Sequence, residues 1–277
     1  MNKLTREKQA QVVTALVEGN SIRATVRMTG VAKNTIVKLL ADLGRACAEY
    51  QDKAFRNLPC QRIQCDEIWS FCYAKEKNVP EDKKGVFGYG DVWTFTAICA
   101  DTKLVPSWHI GRRDLEDAII FMKDLAGRLA SRVQLTTDGH KMYLEAVESA
   151  FGSGIDFSQL VKIYGQTVEG QKRYNPPQCI GTIKTPINGN PDMLKVSTSY
   201  VERQNLTMRM NMRRFTRLTN AFSKKVVNLF YAVSLHFMYY NFCRIHQTLR
   251  VTPAMEAKVT DHVWDIKDIL ASFLLTG

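Results

Sequence analysis

The chain has 277 residues, 45% of them hydrophobic, enough to bury a substantial core in one large domain with a small one beside it. Its formal net charge of +11 points to a polyanionic partner, nucleic acid first among them. Seven cysteines, an odd number with no CxxC pair, argue against a disulfide framework or a zinc finger and for free thiols in a reducing cytoplasm.

The first stretch, MNKLTREKQAQ, has no apolar signal core. Residues 5 to 46 are predicted to be helical. Val12, Val13, Leu16 and Val17 mark the apolar face of a first helix that ends near Gly19. SIRATVRMTG opens on a Ser cap and stops at Gly30, and VAKNTIVKLLADLG follows with Ile36, Val37, Leu39, Leu40 and Leu43 inward. Helix, short turn with Gly, helix is the helix-turn-helix layout, whose second helix enters the major groove by its N-terminal end. That end carries Lys33, Asn34 and Thr35, with Lys38 a turn later; Lys suits phosphate or guanine and Asn suits adenine. The competing reading is a plain three-helix packing module. Residues 1 to 50 hold 8 basic against 4 acidic side chains, which favours DNA contact. We take 1–50 as a small all-α DNA-binding domain and 51–61 as a polar linker.

RIQCDEIWSF is predicted to be a strand that carries two adjacent acids, Asp66 and Glu67. Side chains alternate across a strand, so the two point to opposite faces and share one metal site only through a bulge. Glu67 falls on the more apolar face, with Ile63, Cys65, Trp69 and Phe71, and is expected to need a cationic or amide partner. GDVWTFTAICADTKLVPSWHIG reads as two more strands, DLEDAIIFMKDLAGRLAS as a helix, RVQLTTDG as a strand, HKMYLEAVESAFG as a helix and SQLVKIYG as a strand. That order predicts a mixed sheet flanked by helices. Residues 165–198 hold four of the eight prolines and read as a long irregular insert, either a functional loop or a disordered one. SYVERQN opens a helical region running to about residue 246, and Val226 to Cys243 within it, interrupted by Asn228, Ser234, His236 and Asn241, reads as buried helix rather than membrane span. A C-terminal helix is expected in 257–277.

Three acids could converge: Asp66 in the first strand, Asp138 at the end of the fourth, and Glu202 at the start of the helix after the insert. Each has an ordinary alternative. Asp66 could serve a buried ion pair, Asp138-Gly139 is a good turn pair, and SYVE matches a capping box with Ser199 as cap. Taken together they form a set of hard oxygen ligands suited to Mg²⁺ or Mn²⁺. Two such ions can drive in-line attack on a phosphodiester. Between Arg203 and Met255 there are nine basic residues and no acid. Asn205, Arg209 and Arg213 lie three, seven and eleven positions past Glu202, on its face of one helix, and suit the tracking of a phosphate backbone.

CDEIWSF, TTDGHKMY and YVERQNLTMRMNMRRFTRLTNAFSKK, in that order, resemble the catalytic motifs of bacterial insertion-sequence transposases of the DDE superfamily, most nearly the insertion sequence one type. YYNFCRIHQTLRVTPAM resembles the segment that follows the glutamate helix in many integrase-like cores. The resemblance spans about residues 62–256. It implies a ribonuclease-H-like catalytic domain over that range, two Mg²⁺ (or Mn²⁺) ions, and a catalytic, metal-holding triad of Asp66, Asp138 and Glu202, with Arg209 as the basic residue seven places on. It also implies the partners: double-stranded DNA as terminal inverted repeats and as target, and a second copy of the chain, since two ends must be held together. The expected location is the bacterial cytoplasm, at the nucleoid. This chain lacks the N-terminal zinc-finger cysteines of many relatives, has Gln204 where His often follows Glu-Arg, and carries the 165–198 insert. Two other readings of the same fold are a nuclease that does not join strands and a non-catalytic DNA-binding regulator.

Overall fold

The computed structural model describes residues 4–165, 177–216 and 219–272. Three helices open the chain: α1 (Arg6–Val17), α2 (Ile22–Thr29) and α3 (Lys33–Ala54). Their boundaries follow from capping chemistry. The Thr5 hydroxyl accepts from the Lys8 amide, the Ser21 hydroxyl from the Ala24 amide, and Gly30 ends α2 at φ 70°, a left-handed conformation open to glycine at little cost. The third helix is longer than expected. It continues through residues 47–54, past the predicted helical end at 46 and into the expected 51–61 linker, because its buried face continues through Cys47 and Gln51.

The sheet has six strands in the order β3-β2-β1-β4-β5-β6. They are β1 (Arg62–Cys72), β2 (Gly90–Cys99), β3 (Ser107–Gly111), β4 (Gln134–Asp138), β5 (Asp156–Tyr164) and β6 (Cys179–Asn188). β1, β4 and β5 run parallel to one another, while β2, β3 and β6 are antiparallel to their neighbours. Two helices, α4 (Leu115–Ala126) and α5 (Met142–Phe151), supply the crossovers. The predicted mixed sheet with flanking helices is therefore present.

β6 was not anticipated. It lies within the proline- and glycine-bearing insert, where no apolar alternation marks a strand. Backbone pairing with β5 along a hairpin supplies what its side chains do not, and Pro186 is admissible because β6 has no partner on its outer side among the described residues. Residues 166–176 of the insert lie outside the described residues.

Side chains of β1 divide between two cores. Ile63 and Cys65 join Phe95, Phe121, Leu135 and Tyr143 on the α4/α5 side. Ile68 and Cys72 join Val201, Met208 and Phe237 on the other side. That second layer consists of α6 (Ser199–Asn211) and α7 (Val226–Phe242). The expected continuous helix to residue 246 is broken: α6 ends at Asn211, and Arg213–Phe215 form a separate 3-10 turn. Two short helices follow, α8 (Pro253–Glu256), capped by Thr252, and α9 (Ile266–Ser272). All seven cysteines are free thiols, as expected. No described helix is long and apolar enough to cross a membrane.

α3 and α7 meet at backbone distance. A Cβ placed on Gly44 would lie 2.5 Å from the Tyr231 Cβ and 2.6 Å from its carbonyl oxygen. The contact is fixed by hydrogen bonds from Ser234 Oγ to the Gly44 carbonyl (2.7 Å) and from Gln51 Nε2 to the Ser234 carbonyl (3.2 Å). Leu40, Leu43 and Cys47 of α3 belong to the same apolar cluster as Phe242 of α7. Gly44→Ala should therefore force the helices apart and cost about 1–3 kcal/mol in urea unfolding. A change within error would show that the contact yields without strain.

Candidate active site

Strand register sets the site. β1 and β4 pair in parallel as far as Gln64 with Thr136, so two residues further along each strand Asp66 stands level with Asp138. The ladder with β2 runs through Asp66↔Thr96 and Glu67↔Phe95 without a bulge. Asp66 Oδ2 accepts from Asn205 Nδ2 of α6 (2.9 Å), and Oδ1 from the Glu67 amide (2.8 Å). Asp138 Oδ1 accepts from the His140 amide (3.0 Å).

Glu67 points to the α4/α5 side, as alternation requires. Its side chain has no solvent exposure and finds the cationic partner expected of it: Arg113 Nε lies 2.6 Å from Oε1, and the Tyr143 hydroxyl donates to Oε2 at 2.9 Å. The guanidinium of Arg113 sits 4.6 Å over the Trp93 ring and 3.9 Å from Asp138 Oδ2. One oxygen each of Asp66, Glu67 and Asp138 falls within 4.8 Å of the others. This corrects the expectation that Glu67 stands clear of the cluster unless the strand bulges. The neighbouring strand end brings Asp138 within reach of both acids.

Glu202 is outside that group. It lies in the first turn of α6, but Lys162 of β5 pairs with it and the Thr198 hydroxyl donates to it at 2.6 Å. The helix cap is Thr198 rather than Ser199, and its side chain makes no cap hydrogen bond, so the expected capping box is not formed. The start of α6 is anchored by β1 itself: Gln64 Oε1 accepts from the amides of Tyr200 (2.8 Å) and Val201 (3.2 Å). Gln64 shares the face of Asp66, so the same strand face that carries the aspartate also fixes the helix that carries Glu202.

Crowding of negative charge is visible in Asp66. Burial, followed by the charge of Glu67 and then those of Asp138 and Glu202, pushes its carboxyl up to about 7, against an opposing hydrogen bond from the Glu67 amide. Asp66 and Asp138 offer hard oxygen donors of the kind Mg²⁺ or Mn²⁺ takes, while both oxygens of the third close acid, Glu67, are already engaged by Arg113 and Tyr143.

The residues predicted to meet DNA divide into three sets. Lys33, Asn34 and Thr35 are exposed at the start of α3, and Lys38 is exposed but paired with Asp42 at 2.5 Å. Asn205 is buried, and its amide is committed to Asp66 rather than to a solvent-facing partner. Arg209 lies half-buried on α6, and Arg213 lies beyond its end, off the face of Glu202, because the helix stops at Asn211. Sequence reasoning missed Gln64, Arg113, Tyr143 and Lys162. The one available signal was a lone Lys in the apolar strand SQLVKIY.

No family model matches the chain, and no curated protein does. Among solved structures, the piggyBac transposase synaptic complex with hairpin DNA aligns over 100% of this chain and 73% of that chain at 10% identity and a TM-score of 0.45. The Mos1 strand transfer complex aligns over 86% of this chain and 76% of that one at 12% identity and a TM-score of 0.25. Both likenesses are too weak to support a functional conclusion.

The raised carboxyl of Asp66 has a consequence for stability. The folded chain keeps a proton there that the unfolded chain releases, so the group favours the fold below about pH 4. That contribution is lost as pH climbs through about 7. Asp66→Asn should accordingly match the wild type at pH 4 and exceed it at pH 8 by about 1–4 kcal/mol in urea unfolding. Mg²⁺ should narrow the gap at pH 8 by stabilising the wild type alone. Glu67→Gln removes the charge paired with Arg113 and should lower stability by about 1–3 kcal/mol at pH 8. Equal melting of Glu67→Gln and wild type would show that the pair is energetically idle.

Proposed function

We propose that this protein is a DNA transposase with DDE-type chemistry on a ribonuclease-H-like catalytic domain, preceded by a helix-turn-helix that reads the ends of its element. The observation that carries this reading is the level placement of Asp66 and Asp138 on adjacent parallel strands, with Glu202 in the first turn of a helix capped from the same strand. The strand order, three antiparallel strands joined to two parallel ones, supports the fold reading, and the ordered motifs support the family reading.

In this reading Asp66, Asp138 and Glu202 would hold two divalent ions, with Glu67 as a near neighbour that balances Arg113. Bound ions of this kind activate a water or a 3′-hydroxyl and stabilise the leaving oxygen of a phosphodiester. The chain's own residues do the positioning. Asn205 fixes the rotamer of Asp66 through its amide. Gln64 fixes the start of α6. Lys162 pairs with Glu202, and its ammonium would be available to a phosphate if that carboxylate served a bound cation. The nine basic residues between Arg203 and Met255, with no acid among them, draw the DNA backbone toward acids that would otherwise repel it. Lys33, Asn34 and Thr35 contact base edges and phosphates of the inverted repeats. A second copy of the chain holds the second end.

Asp66→Asn, Asp138→Asn and Glu202→Gln should each abolish Mg²⁺-dependent cleavage of end DNA while changing its affinity less than about threefold, because the metal-holding side chains and the DNA-holding ones are separate. Strand-transfer assays with precut ends separate a transposase from a simple nuclease. Full cleavage by any one of the three variants would remove that residue from the chemistry.

A further inference from the structure

A cavity of about 840 Å³ lies between the N-terminal helices and the segment that joins α6 to α7. Its lining includes six cationic side chains: Arg23, Lys33, Arg213, Lys224 and Lys225, and Arg214, which is partly buried. No acid lines it. Arg214 donates to Ser223 Oγ at 2.8 Å, and the other five form no ion pair with any described residue. Five cations without an ion-pair partner among the described residues on one concavity suit an anion such as phosphate.

Part of the lining has a different chemistry. Leu40, Ala232 and Leu235 give it an apolar stretch, which we call the floor. His236, only 5% exposed, also lines it, and its Nε2 has no hydrogen-bond partner among the described residues. A buried polar atom left open in this way costs stability unless something fills it. Burial, and then the charge of Arg244, draws the imidazole down to about 3, so it stays neutral and offers a nitrogen to a base edge rather than a charge to a phosphate. An aromatic series links the cavity to the acids. Phe222 on its wall is 4.8 Å from Phe71, which is 5.8 Å from Trp69, two residues from Glu67.

We infer that this cavity is a nucleotide pocket that takes one unpaired nucleotide of the bound DNA, its phosphate on the cationic side chains and its base on the apolar floor beside His236. The inference rests on the DNA-transposase reading for the source of the nucleotide. A base within a duplex has its faces stacked and its pairing edge occupied, so only an unstacked one can meet such a floor. Ser223 pairs with Cys72 at the end of β1, which places the pocket wall roughly 20 Å along that strand from Asp66 at about 3.3 Å per residue. At about 3.4 Å per step along a DNA strand, that separation is roughly six nucleotides from the phosphate to be cut.

The test uses the full chain and two labelled 30-mer duplexes of mixed sequence, identical except that one carries a single unpaired nucleotide. Fluorescence anisotropy should show the interrupted duplex bound roughly tenfold more tightly than the paired one, the scale of one base stacked on protein. His236→Gln, and Asn228→Trp to fill the mouth, should bring the ratio toward one in protein that still melts cooperatively. Lys224→Glu with Lys225→Glu, both exposed, repeats the test without touching the floor. A mixture of free deoxynucleoside monophosphates should compete poorly. A wild-type ratio of one alongside tight duplex binding overturns the pocket and leaves the transposase reading intact. A ratio that survives all the variants puts the unpaired nucleotide elsewhere, and full competition by monophosphates makes the site one for a soluble nucleotide. No binding to either duplex overturns both readings. Mg²⁺-dependent cleavage, measured in parallel, reports on the catalytic reading alone.

Discussion

Parallel pairing of β1 with β4 is the constraint on which the rest of the site depends. A slip of one residue would send Asp138 to the opposite face and remove it from Asp66. The register is protected by apolar neighbours on both faces of β1, so slippage would bury polar groups on one side and expose core residues on the other. Gln64 then turns the same strand into a mount for α6, because its side-chain oxygen caps two amides at that helix start. One strand thus supplies an acid, supports the helix that carries another, and carries a third acid on its reverse face.

Charge is balanced within a few ångströms at two of the acids in this region but not at Asp66. Glu67 is wholly enclosed yet held by Arg113 and Tyr143, whose hydroxyl is kept protonated by its own burial and the carboxylate beside it. Glu202 is held by Lys162. Asp66 has only neutral donors, an amide side chain and a backbone N–H, and it is the acid whose proton affinity is raised. The acid that lacks a cationic partner in the protein is the one with most to gain from a cation supplied from outside.

Much of the layout was legible in the sequence because its signals are local. The Ser21 cap, the left-handed Gly30, the apolar alternation of β1 and the DG turn after β4 each depend on a few adjacent residues. The opposite orientation of Glu67 and its need for a cation also came from strand geometry alone. What stayed hidden depends on long-range pairing. β6 exists because β5 offers it a ladder, not because of its composition. The end of α6 at Asn211 carries no Pro or Gly signal, and the roles of Gln64, Arg113 and Lys162 arise only when distant segments meet. Asn205 was read as a DNA contact from its helical position, but a helix has a buried face as well as a wet one, and Asn205 lies on the former.

The backbone contact between Gly44 and Tyr231 makes α3 a caliper. Its 22 residues span about 33 Å at 1.5 Å per residue, with the exposed Lys33–Thr35 end at one jaw and the sheet-bearing body clamped to its middle. A hinged tether would let a recognition element search along DNA independently of the acids. A clamped rod instead fixes a length of polypeptide between two parts of the molecule. On the transposase reading proposed above, the distance between the base pairs that are read and the phosphate that is attacked would be a property of the fold, carried unchanged from one molecule to the next.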